Sequence, residues 1–186
     1  MDYESNEEKL LFDKHHIKMV KTEDKKYKIE FELINQLILL EPIIDFNLIK
    51  LIYEINKDAI FTDMNIELLS ENHATIYIKM FHFFADFGIK QKYIHIDSHI
   101  SKFENTITFH ATGINSKKVS CELLPLSSIT AVCNIINPHK VGFTISFCFD
   151  NTFEVSEVIE KMVITLFCKI IQRTKQCIEK MTLYII

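Results

Sequence analysis

Hydrophobic and polar positions change period three times along the chain. Ile29, Phe31 and Leu33 alternate with Lys28, Glu30 and Glu32, the period-2 signature of a half-buried strand. Between residues 37 and 60 the period lengthens. Ile44, Leu48, Leu51, Ile52 and Ile55 recur at three and four, predicting one or two helices with Pro42 near the start. From Asn65 to Asp150 period 2 returns. Candidate strands are 65–70, 74–84, 92–100, 105–112, 117–124, 128–136 and 139–150, with breaks at Asn72, Gly88, Gly113-Ile114-Asn115 and Asn137-Pro138. The last strand is the clearest: Val141, Phe143, Ile145, Phe147 and Phe149 share one face, and Gly142, Thr144, Ser146 and Cys148 share the other.

A long helix closes the pattern. Ser156 is placed as its N-cap, with Glu157 and Glu160 in the positive first turn and Arg173, Lys175 and Lys180 toward the negative end. Ile159, Met162, Val163, Leu166, Phe167, Ile170, Ile171, Ile178 and Met181 form one continuous stripe. Glu157, Lys161, Lys169, Gln172, Gln176 and Glu179 form the opposite face. So wide a stripe must cover a large apolar surface, and the sheet is the candidate. The fold class expected is α+β: a curved antiparallel sheet of about seven strands packed on a long C-terminal helix. Residues 27–186 are read as one such domain. Residues 1–26 stand apart, because acidic and lysine side chains intermingle there, and are read as a flexible charged arm. Ser5 with Glu8 offers a capping box for a short helix carrying Leu10, Leu11 and Ile17.

Composition narrows the picture. Apolar residues at 48% and charged residues at 25% describe a globular chain with a sizeable core. Fifteen Phe with only three Gly and three Pro argue for a β-rich core joined by long hairpin loops rather than two-residue turns. A net charge of −4, with Arg173 as the single arginine, argues against nucleic acid as a partner. Cys121, Cys133, Cys148, Cys168 and Cys177 sit in apolar runs with no CxxC pair, as reduced, buried thiols do. Met1 to Glu8 is acidic rather than basic then apolar, so no secretory leader is expected. No apolar run nears the roughly 20 residues of a membrane span. The expected compartment is the cytoplasm or the nucleus.

Candidate chemistry is sparse. His95, Asp97 and His99 share one face of a strand, and i, i+2 ligands can share a metal. A zinc site needs a third or fourth ligand, and the sequence identifies none. The three are therefore read as a solvent-facing stripe opposite Ile94, Ile96 and Ile100, and no metal is expected. His15-His16, His73, His82, His110 and His139 are scattered, and neither a nucleophile motif nor a phosphate-binding Gly loop is present. No catalytic residue and no cofactor are expected. Phe81-His82-Phe83-Phe84 and Phe87 are read as aromatics on both faces of one strand, packing the core or facing a partner.

The order strand, helical segment, antiparallel strands, long C-terminal helix resembles the helix-grip fold of START-like lipid-transfer and polyketide-cyclase proteins. The local likeness is carried by residues 138–151, Pro138-His139-Lys140-Val141-Gly142-Phe143-Thr144-Ile145-Ser146-Phe147-Cys148-Phe149-Asp150-Asn151, which look like the last strand of coenzyme Q-binding members. The resemblance implies an apolar cavity between sheet and last helix that binds a lipid or other apolar small molecule without chemistry. Phe143, Ile145, Phe147, Met162, Leu166, Phe167 and Ile170 are then the cavity candidates. A rival resemblance joins Tyr27–Leu33, a helical segment, Asn65–Ser70 and His73–Lys79 to the first half-domain of a DNA sliding clamp, implying a protein-interaction module.

Overall fold

The computed structural model describes residues 8–83, 85–116 and 121–182. Among them ten strands make one sheet, antiparallel except at β8, that grips a long helix. The strands are β1 (Lys9–Lys14), β2 (Ile17–Glu23), β3 (Lys26–Ile34), β4 (Phe61–Ser70), β5 (His73–Met80), β6 (Lys92–Phe103), β7 (Thr106–Gly113), β8 (Glu122–Leu123), β9 (Leu126–Asn137) and β10 (Lys140–Phe149). Between β3 and β4 lie a 3-10 turn at Glu41–Ile43 and helix α1 (Phe46–Asn56); helix α2 (Glu157–Lys180) follows β10. The sheet order is β1-β2-β3-β10-β9-β7-β6-β5-β4, with the short β8 pairing parallel to β6.

The alternation of β10 sets its orientation. Val141, Phe143, Phe147 and Phe149 are buried against the helices, while Thr144 and Ser146 look outward. Pairing is in register with β3 (Phe143↔Phe31, Ile145↔Ile29), where large inward side chains meet across strands, and with β9 (Phe143↔Cys133, Ile145↔Ala131), where they meet small ones. The α2 stripe buries Met162, Val163, Leu166, Cys168, Ile171, Thr174 and Ile178. Its 24 residues are about 36 Å long, enough to cross most of the sheet.

Both ends of α2 are tied down. Ser156 Oγ accepts from the Ile159 amide as the N-cap, and Glu160 Oε1 takes hydrogen bonds from Lys21 Nζ at 2.8 Å and Tyr27 Oη at 2.7 Å. Burial pushes the Glu160 carboxyl up, but those two donors outweigh it and hold the group below its ordinary value. At the other end the buried Asn35 amide donates to the carbonyls of Ile178, which also accepts the Met181 amide, and of Met181 itself.

Two expectations are corrected here. Residues 9–23 are not an arm: β1 and β2 extend the sheet, and Ile17 and Met19 are fully buried under α2. Their charges find partners on both faces: Lys18 lies opposite Glu30 on the outer face, near Lys28 of β3 with Glu8 and Glu30, while Lys21 reaches Glu160 of α2. Ser5 of the supposed capping box lies outside the described residues, and Leu10, Leu11 and Ile17 are in strands rather than a helix. Hairpin connections are also short: His15-His16, Asp24-Lys25, Glu71-Asn72, Glu104-Asn105 and Pro138-His139 are all two-residue links. Three of them form without glycine because His15, His16, Lys25 and Glu104 themselves take left-handed φ values of 51–60°.

Further expectations shift in detail. Strand β5 stops at Met80, so Phe81 and Phe83 lie beyond it, half-exposed in a loop; Phe84 is outside the described residues. Residues 117–120 of the 117–124 candidate strand are likewise outside them, and only Glu122–Leu123 pair. No helix among the described residues is long and apolar enough to cross a membrane.

Candidate functional site

Between the inner sheet face and the two helices lies a cavity of about 240 Å³. Its walls come from every layer. Phe31 and Leu33 of β3, Ile78 of β5, Ile96 and Ser98 of β6, and Phe109 and Ala111 of β7 line it. So do Ile129, Ala131 and Cys133 of β9 and Phe143 and Ile145 of β10. Leu48, Ile49 and Ile52 of α1 close one side, and Phe167, Ile170, Ile171 and Thr174 of α2 form the roof.

The void has a local cause. Strands β6, β7 and β9 place Ser98, Ala111 and Ala131 at inward positions where their neighbours carry Ile or Phe. Small side chains on adjacent strands leave the span to α2 unfilled. Ile129, Ala131, Ile145, Phe167 and Ile170 point inward yet are only half-buried, because the void replaces packed neighbours.

The lining is uncharged. Its polar groups are the hydroxyls of Ser98 and Thr174 and the Cys133 thiol, which burial pushes up to about 12, so it stays protonated at neutral pH. Behind Thr174, the buried Asn56 amide donates to the Ile52 carbonyl and, at 3.4 Å, to Thr174 Oγ1.

A second, smaller chamber of about 150 Å³ adjoins the first along α2. Met162, Leu166, Phe61, Met80 and Leu124 line it, and Phe167, Ile170, Ile78, Ile96 and Ile129 are common to both. The residues proposed from sequence thus fall into three groups. Phe143 and Ile145 face the larger chamber, Met162 and Leu166 the smaller, and Phe167 and Ile170 both. Phe147 lines neither. It is stacked between Tyr27, at 5.1 Å, and Phe167, at 4.7 Å, as a solid wall at the end of the cavity. Sequence reasoning missed the α1 wall and the small residues Ser98, Ala111 and Ala131. Their signal was an interruption of bulk within alternating strands, visible only once registers align them.

On the outer sheet face, His95 Nδ1 lies 2.9 Å from Ser116 Oγ. Asp97 and His99 do share that face, and the β5–β6 register sets His73 directly opposite His99. His73 Nε2 lies 2.7 Å from Asp97 Oδ1, and the His73 and His99 rings stack at 3.8 Å.

Solved structures share this architecture. Human STARD10 superposes with a TM-score of 0.72 at 10% identity, over 92% of this chain and 72% of that one. Human StAR-related lipid transfer protein 5 gives 0.64 at 12% identity, over 96% and 87%. A STAR-related lipid transfer protein fragment from Xanthomonas axonopodis gives 0.66 at 10% identity, over 93% and 99%. No protein-family profile and no curated protein matches the sequence. The chain therefore has the START-like helix-grip fold that its element order resembles. Identity this low shows the fold alone.

Proposed function

We propose that this protein binds a lipid or other apolar small molecule, without chemistry of its own, in the cavity beneath α2. The observation that carries this reading is the uncharged hollow of about 240 Å³ beneath α2, with a smaller chamber adjoining it. At about 24 cal/mol per Å³ of void, leaving it empty would forgo on the order of 5 kcal/mol, comparable to a small domain's whole stability. Apolar contents recover that loss. Absence of charge in the lining means that the enclosed part of the ligand is neutral, since an unpaired buried charge is strongly disfavoured. Ser98 and Thr174 offer hydroxyls to at most a small polar group. The lipid-transfer names of the structures sharing this fold agree with the reading.

Native mass spectrometry of gently purified protein, with titration of an apolar fluorescent probe, tests it. One probe per chain is expected for the wild type, and loss of binding for Ala131→Phe, which plants a ring in the void. A wild type that takes no ligand, or a filled variant that binds the probe equally, would leave the protein-interaction reading instead.

A further inference from the structure

We propose that His73, Asp97 and His99 form a binding site for a divalent transition-metal ion, Zn²⁺ by ligand type, on the outer face of the sheet. Considered along β6 alone, Asp97 and His99 lack a third ligand. The β5–β6 pairing supplies it, because His73 is the cross-strand partner of His99. The three residues each offer a ligand atom, all within 4.8 Å of one another.

The spacing suits an ion. A tetrahedral centre with bonds of 2.0–2.1 Å separates its ligand atoms by about 3.3 Å. Here His73 Nε2 lies 2.7 Å from Asp97 Oδ1, and His99 Nδ1 lies 3.8 Å from Asp97 Oδ2, on either side of that value. Binding requires the stacked His73 and His99 rings to turn about their side-chain torsions until their nitrogen lone pairs converge on one centre. Two imidazoles and one carboxylate favour zinc-like ions over Mg²⁺ or Ca²⁺, which prefer all-oxygen shells. Three protein ligands leave a fourth position for water. Strand mounting fixes the three Cα positions, and partial exposure lets an ion enter from solvent.

Such an ion would join β5 to β6 where they form the cavity wall. Ser98, between Asp97 and His99, projects from the opposite face into the cavity. The site would thus stiffen that wall from outside, and an ion bound only by the folded chain must raise its melting temperature.

The test is calorimetric titration of chelator-treated, full-length protein with ZnCl₂, alongside thermal melts and Co²⁺ absorption spectra. One Zn²⁺ per chain and a higher melting temperature are expected. Co²⁺ should give visible tetrahedral bands without a thiolate charge-transfer band. His73→Ala, Asp97→Asn and His99→Ala should each weaken binding tenfold or more, because even outer-shell changes at metal sites cost about that much. All three lie on the outer face, and their metal-free melts should stay near the wild type, separating lost ligation from lost folding. His95→Ala should bind as the wild type does, since His95 is paired with Ser116. No binding at submillimolar ZnCl₂, undiminished binding in the three variants, or a thiolate band pointing to the cysteines would each overturn the proposal.

Discussion

Where the first turns of α2 meet β2, β3 and β10 the interior is filled, while the smaller chamber lies on their other flank, toward β5 and β6. Tyr27, Phe147 and Phe149 interlock with ring centroids 5.1–5.9 Å apart, and Phe167 stacks on Phe147. Ile17 and Met19 of β2 close that end from below. Further along the same helix, Ile171 and Thr174 look across to Ser98, Ala111 and Ala131, with a void between. Both regions share a sheet, a helix and the same hydrophobic alternation. What differs is side-chain volume at a few aligned positions, so hollowness here is a local property of residue size and not of the fold. A solid end fixes the helix, and that lets the other end remain open.

The sharpest way to break the comparison is Phe147→Ala. At the solid end this substitution deletes a ring stacked on both faces, and a loss of about 3–5 kcal/mol is expected from denaturant unfolding. Probe affinity should change little, since Phe147 lines neither chamber. A small stability loss would mean that this end is not packed as described.

Phe167→Ala is next. One face of this ring meets Phe147, and its remaining surface borders both chambers. A cost of about 1–2 kcal/mol is expected, below the usual range for a fully packed Phe, together with altered probe retention. Equal losses for Phe147→Ala and Phe167→Ala, with no probe effect, would erase the distinction between the two ends.

How much of this was legible in the sequence depends on which interaction carries the information. Local signals read true. The β10 alternation, the Ser156 cap and the α2 stripe are contained within one element each, and the structure has them where periodicity put them. Signals that need a partner did not read. Residues 9–23 look like a solvated arm because Lys9, Asp13, Lys14, Lys18 and Lys21 dominate them, and only pairing with β3 and α2 shows where those charges go: Lys18 outward opposite Glu30, Lys21 inward to Glu160. Their turn, His15-His16, lacks the Asn-Gly or Gly-rich signature by which a hairpin is recognised. The sliding-clamp resemblance arose because strand, helix and hairpin over residues 27–79 is an order both architectures use. Likewise the cavity roof was visible as a stripe, while its cause, small residues on three strands, emerged only with register.

The solid end also carries a pH dependence. Glu160 is held below its ordinary value by Lys21 and Tyr27, which favour the charged carboxylate. A depressed folded-state value contributes stability that is complete above the unfolded value and is lost as pH falls through the folded one. Glu160→Gln should therefore cost about 1 kcal/mol at neutral pH, and the gap to wild type should close as the pH drops below the ordinary glutamate value of 4.5. A gap independent of pH would assign the loss to packing rather than to the charge.

The smallest stability effect is expected at the hollow end, from Ser98→Ala. Ser98 is buried on the cavity wall, and its hydroxyl makes no side-chain hydrogen bond among the described residues. Removing a buried hydroxyl that has no protein partner relieves desolvation without breaking a bond, so stability should stay within about 1 kcal/mol of wild type. Ligand binding is where the substitution speaks. A wholly apolar guest should bind the alanine variant equally well or better. A guest with a hydroxyl or carbonyl placed against Ser98 should lose roughly 0.5–1.5 kcal/mol, the net worth of one neutral hydrogen bond. Comparing a long-chain hydrocarbon with the alcohol of the same length, by competition with the fluorescent probe, separates these outcomes. If both guests ignore the substitution, selection in the cavity rests on shape and apolar contact alone. If only the alcohol weakens, Ser98 orients the polar end of the guest toward β6.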